Sequence, residues 1–96
     1  NLLCKLKTWQ INDISKNPLY KNNYIKALKS IRARTILMSC NQDLYFRTEE
    51  NQFEKKNINK ASLITVDSAY GHCAANPGND KNFQNKLDQN INKLLT

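Results

Sequence analysis

The sequence predicts an α/β fold, two parallel strands with flanking helices, and three observations carry that prediction. Thr35-Ile36-Leu37-Met38-Ser39-Cys40 and Ala61-Ser62-Leu63-Ile64-Thr65-Val66 are short runs without polar alternation, the pattern of strands covered on both faces in a parallel sheet. The stretches around and between them carry helical spacing or helix-terminus charge patterns, and strands separated by helices imply right-handed crossovers. Two strands alone leave both edges of the sheet unpaired, which predicts an incomplete domain, the C-terminal end of a larger doubly wound sheet. Residues 1–96 are therefore expected to be a fragment of a single domain. A helical segment, 1–31, precedes the penultimate strand, and a strand-helix-strand-helix unit fills 35–96.

From Leu2 to Ile14, apolar residues at Leu2, Leu3, Leu6 and Trp9 follow helical spacing, and the helix is expected to stop before Asn17-Pro18, because proline disfavours helix at the residue preceding it. Tyr24, Ile25, Leu28 and Ile31 recur three or four apart, so a second helix can bury one stripe and leave Lys26 and Lys29 wet. The first strand, 35–40, ends at polar Asn41-Gln42-Asp43. Thr48 to Lys56 places Glu49 and Glu50 near its start and Lys55 and Lys56 near its end, an order that suits the helix dipole. The second strand is 61–66. A glycine-flanked loop follows, and Asn79-Asp80 can then cap a last helix whose Phe83, Leu87, Ile91, Leu94 and Leu95 form a stripe.

Composition bounds what such a chain does. With 40% hydrophobic and 24% charged residues it has a soluble globular make-up rather than that of a disordered tail. No apolar run approaches the roughly 20 residues that cross a bilayer, and the N-terminus has no apolar core of signal-peptide length. Cys4, Cys40 and Cys73 are odd in number, widely spaced and free of any Cys-x-x-Cys pair, so neither a disulfide framework nor a zinc site is indicated, and a reducing, cytoplasmic setting is expected. The formal charge of +7 and pI near 9.5 invite a nucleic-acid reading. Its lysines, however, are scattered in ones and twos with no interleaved aromatic residues to stack on bases, which is the pattern of a solvated surface. A small basic nucleic-acid-binding module is the weakest of the readings.

The residues able to do chemistry sit where the strands end. In open α/β sheets reactive groups gather beyond the carboxyl ends of the strands. Asp43 follows the first strand by three residues and His72 the second by six, so adjacent parallel strands deliver a carboxylate and an imidazole to one rim. A carboxylate that accepts the Nδ1 proton of histidine fixes its tautomer and leaves Nε2 free to take a proton from a nucleophile. Each residue alone has a plainer explanation, the aspartate as a turn residue and the histidine as a surface residue. Their joint placement, and Gly71 aiming the histidine, favour the catalytic one. Cys73, beside His72, is a weak candidate nucleophile, since neighbours in an extended loop project in different directions. Cys40 and Cys4 are expected to be small buried hydrophobes. A metal site from His72, Asp43 and a cysteine lacks ligand spacing, so no metal is expected.

With these residues in view, the chain resembles the homoserine O-acetyltransferase-like branch of the α/β-hydrolase family over nearly its whole length. The segments that carry the likeness are Thr8-Trp9-Gln10 with Asp13-Ile14-Ser15, Asn17-Pro18-Leu19-Tyr20, Ala27-Leu28 with Ile31-Arg32-Ala33, Asp43-Leu44-Tyr45-Phe46, and Gly71-His72 with Pro77-Gly78. The resemblance implies the C-terminal part of an α/β-hydrolase fold, with Asp43 as triad aspartate and His72 as triad histidine in the order Ser, Asp, His. It also implies acyl transfer through a serine, with acetyl-CoA as the acyl donor, no resident cofactor, and a small hydroxyl compound such as homoserine as acceptor. The serine belongs on a Gly-x-Ser-x-Gly elbow. Gly71 and Gly78 are the two glycines present, and none of Ser15, Ser30, Ser39, Ser62 and Ser68 lies between them, so this chain lacks both nucleophile and oxyanion hole and is expected to be inactive alone. A complementary polypeptide would complete the site. The alternative is a truncated, non-catalytic remnant that keeps the motif residues.

Overall fold

The computed structural model describes residues 1–96. Along the chain run α1 (Leu2–Ile11), α2 (Tyr24–Lys29), β1 (Thr35–Cys40), α3 (Thr48–Asn57), β2 (Ala61–Val66), a 3-10 turn (Gly71–Cys73) and α4 (Lys81–Leu95). The two strands pair in parallel, in register from Thr35 opposite Ala61 to Cys40 opposite Val66. The fold class is α/β. α3 is the crossover and packs on both strands, while α4 lies against β1. The core gathers Cys40, Val66, Ala74 and Phe83, with Met38 packed against it, so it sits beneath the C-terminal tips of the strands. Burying side chains such as Val66 and Phe83 contributes roughly 1.5–3 kcal/mol each. No helix is long and apolar enough to cross a membrane.

Local chemistry sets the ends of these elements. Asn1 caps α1 by accepting the Leu3 N–H at 2.9 Å. The helix stops at Ile11, short of the expected Ile14, because Asp13 Oδ1 accepts both the backbone N–H and the hydroxyl of Ser15, at 2.8 and 2.6 Å. Short polar side chains that bond their own backbone offer the chain an alternative to helix. These bonds hold the Asp13 carboxyl below its ordinary range, against a smaller upward push from burial. The chain then turns through left-handed Lys21 and Asn22, and Asn23 caps α2 through the Lys26 N–H. α3 carries Glu49 and Glu50 in its first turn and Lys55 and Lys56 in its last, the order that favours its dipole. Arg34 reaches from the start of β1 to the carbonyls of Lys93 and Leu94, closing the C-terminal end of α4.

Burial departs from expectation in four places. The apolar residues of α1 form no packed stripe: Leu2 and Leu3 are 74% and 75% exposed, and Cys4, expected inside, lies on the surface. In α2, Ala27 and Leu28 are buried while Tyr24 and Ile25 stay open. The strands are only partly covered along most of their length, with full burial reached at Ser39, Cys40 and Val66. In α4, Phe83 and Asn90 are the buried residues, and Ile91 and Leu95 face outward. One physical cause joins them, since two strands and four helices offer too few layers to cover every apolar face. A compact chain of 11.1 kDa would expose about 5,700 Å². This one exposes 7465 Å², and its radius of gyration is 15.3 Å against about 12.5 Å for a compact chain of this length.

Candidate active site

The carboxyl end of β1 does not fray. Asn41 N–H continues the ladder onto Val66 O at 2.9 Å, and the Cys40 carbonyl accepts the Asp43 N–H at 3.1 Å. That turn swings Asp43 back across the rim. Its Oδ1 accepts the backbone N–H groups of Tyr45 and Phe46, at 2.8 and 2.9 Å. The turn role expected of an Asp in this position is therefore real, and it uses one oxygen only.

The other oxygen, Oδ2, lies 3.1 Å from Nδ1 of His72. The structure thus brings together the two residues singled out in the sequence. Gly71 answers why a chain with two glycines places one beside its histidine. Its φ of +54° is left-handed, and a Cβ there would sit 3.1 Å from the carbonyl oxygen of Gln42. A side chain at 71 would be strained by the left-handed backbone and would crowd the Gln42 carbonyl, which must give by a few tenths of an ångström. Gly78 needs glycine for backbone freedom alone, since its φ is +86° and no atom lies within 4 Å of the Cβ position. Between the two, residues 71–73 form a 3-10 turn rather than an extended loop.

Electrostatics define the pair further. Burial pushes the Asp43 carboxyl up, but the Phe46 N–H, the His72 ring and the Tyr45 N–H together outweigh it and hold the group below the usual carboxylate range. An ionised Asp43 can only accept, so a neutral His72 must carry its proton on Nδ1, which leaves the lone pair on Nε2. Nε2 has no hydrogen-bond partner, and the His72 side chain is 48% exposed against 10% for Asp43. The carboxylate is sheltered and the imidazole is open to solvent. Tyr45 and Phe46 flank the imidazole, with ring centroids 4.9 and 5.1 Å away, and Trp9 of α1 leans on both at 6.1 and 6.2 Å. A cleft of about 360 Å³ opens between Asp43, His72, Phe46, Met38, Asn51 and Phe83.

None of the three cysteines is hydrogen-bonded to Asp43 or His72, although Cys40 lines the same cleft. Cys73 is exposed, Cys40 is buried in the core, Cys4 lies on α1, and all three are free thiols. No group of three or more His, Cys, Asp or Glu side chains is arranged to hold a metal ion. Sequence reasoning gave no role to the aromatic shelf of Trp9, Tyr45 and Phe46. Two adjacent aromatics right after a strand-end aspartate were the available signal, whereas nothing in the spacing ties Trp9 to them.

No protein-family profile matches the chain. No solved structure matches it significantly. Among curated proteins, all 96 residues align at 29% identity with a protein named "Ethyl acetate hydrolase" from Pseudomonas veronii, covering 27% of that protein. A second relative, named "Probable acyltransferase" from Methanothermobacter thermautotrophicus, is 40% identical over 57 residues, which are 58% of this chain and 18% of the relative. The chain therefore spans about a quarter or less of the curated relatives it matches. Hydrolases and acyltransferases are the proteins to which it is similar.

Proposed function

We propose that this chain supplies the aspartate and histidine of a serine-dependent acyl-transfer site of α/β-hydrolase type, resembling homoserine O-acetyltransferase, with the nucleophile contributed by further polypeptide. The observation that carries the reading is the Asp43–His72 contact at the tips of two adjacent parallel strands. The names of the two relatives support it, one a hydrolase and one an acyltransferase. So does an exposed area about 1,800 Å² greater than a compact chain would show, of the order that one side of a permanent interface covers.

In this mechanism a serine hydroxyl gives its proton to Nε2 of His72 as its oxygen attacks the acyl carbonyl. Asp43 steadies the imidazolium through Nδ1. Collapse of the tetrahedral intermediate breaks the bond to the leaving group, a thiolate if acetyl-CoA is the donor, and His72 returns the proton to it. A hydroxyl acceptor then attacks the acyl-serine, losing its proton to the same Nε2 before the serine is restored. Water in place of the acceptor makes the reaction ester hydrolysis, and alignment of the whole chain with the ethyl acetate hydrolase favours that variant.

The test has two arms. The 96-residue chain alone should turn over neither p-nitrophenyl acetate nor acetyl-CoA. Substituted for the matching segment of the Pseudomonas veronii protein, it should support ethyl acetate hydrolysis that falls on the order of a millionfold with His72→Ala. Turnover in either arm that survives His72→Ala sinks the reading.

A further inference from the structure

We infer that Gln42 is the positioning residue of the pair: its side-chain amide pins the root of the histidine loop to the aspartate loop and so presents Nδ1 of His72 to Asp43. This rests on the role proposed above for that pair and names what sets its geometry. Asp43 and His72 belong to loops that leave their strands independently. The last backbone bond between them runs from Asn41 N–H to Val66 O, and past it only side chains join the two. Gln42 Oε1 accepts the Ser68 N–H at 2.8 Å and its Nε2 donates to Asp67 Oδ1 at 3.2 Å, an oxygen that Asn41 Nδ2 also reaches at 2.9 Å. Ser68 is buried and passes the restraint on. Its hydroxyl accepts the Tyr70 N–H at 3.2 Å and its carbonyl accepts the Gly71 N–H at 3.1 Å, so Ser68 to Gly71 is one fixed turn with His72 next in the chain. The Gln42 carbonyl meanwhile lies against Gly71.

The position needs an amide. One atom must accept from a backbone N–H and the other must donate to a carboxylate, which the Asn41 and Gln42 donors keep below the ordinary range. Glutamate at 42 could still accept from Ser68 but would set a second carboxylate against Asp67. Exchanging the partners, with glutamate at 42 and asparagine at 67, restores an amide-to-carboxylate bond.

His72 is the sole histidine, so the ring ¹⁵N signals of the labelled 96-residue chain report this residue alone. In alkaline buffer the wild-type signals should be those of the Nδ1–H tautomer. Gln42→Glu should lower the ratio of Nδ1–H to Nε2–H about fivefold, the worth of one net hydrogen bond, and adding Asp67→Asn should restore it. Wild-type signals in Gln42→Glu, or a double variant no closer to wild type than the single, overturn the inference. Should circular dichroism show Gln42→Glu unfolded, Gln42→Met removes both bonds without a second carboxylate and is read in the same way. Asp43→Ala separates the two claims: if it leaves the tautomer unchanged, the reading of the pair itself fails, and if it shifts the tautomer while the Gln42 variants do not, only the positioning role falls.

Discussion

The two ends of the chain spend apolar residues differently. Around the strand tips, Val66, Ala74, Phe83 and Cys40 are buried together, and Gln42, Asp43, Ser68 and His72 are each held by a side-chain hydrogen bond. α1 carries Leu2, Leu3, Leu6, Trp9 and Ile11 and buries none of them, meeting the site where Trp9 leans on Tyr45 and Phe46. An isolated helix of ten residues is marginal in water, since most helical stability in proteins comes from tertiary packing. The contrast teaches that helical spacing records a face that wants cover, not a face that has it.

The largest effect expected from probing that contrast is at Phe83. Phe83→Ala should cost about 3–5 kcal/mol in urea unfolding, whereas Leu3→Ala, on the open face of α1, should change stability by no more than about 0.5 kcal/mol. Comparable losses at both sites would mean that α1 is packed after all.

A smaller and sharper difference separates the glycines. Gly78→Ala should cost about 1–2 kcal/mol for its left-handed backbone alone. Gly71→Ala should cost more and should also shift His72 relative to Asp43, because the new methyl crowds the Gln42 carbonyl. Equal losses, with the imidazole signals unmoved, would show that the close approach has no consequence.

The smallest effect is with pH. Asp43, Asp67 and Asp80 are all held below the ordinary value of 3.8 in the folded chain. A folded value below the unfolded one means the contribution is present above the unfolded value and lost as pH falls through the folded one. The urea midpoint should accordingly hold steady down to about pH 5 and then decline through 3.8 and below. In Asp43→Asn the decline should be shallower, and a midpoint that stays flat in acid would show that the strand-tip carboxylates add nothing to stability.

Much of this architecture was legible in the sequence because it is local. Both strands begin and end where the apolar runs do, and the Asp80 cap and the charge order of α3 are short-range chemistry. The Asp43 and His72 placement was legible because parallel strands in register put their ends side by side. What escaped depends on distance along the chain. The Gln42 bonds to Asp67 and Ser68 join residues 25 and 26 apart, and no periodicity encodes them. The premature end of α1 escaped for another reason: Asp13 and Ser15 outcompete a helical pattern that the apolar residues alone would continue.

Asp80 does two jobs at once. Oδ1 accepts the Phe83 N–H at the start of α4, while Oδ2 accepts the hydroxyl of Ser68. Winding of the last helix and seating of the Ser68 turn are thereby coupled, so a molecule whose C-terminal segment has melted has also loosened the turn that leads into His72. Shortening or loosening that terminus would act as a dimmer on the proposed chemistry some distance away, without touching Asp43 or His72.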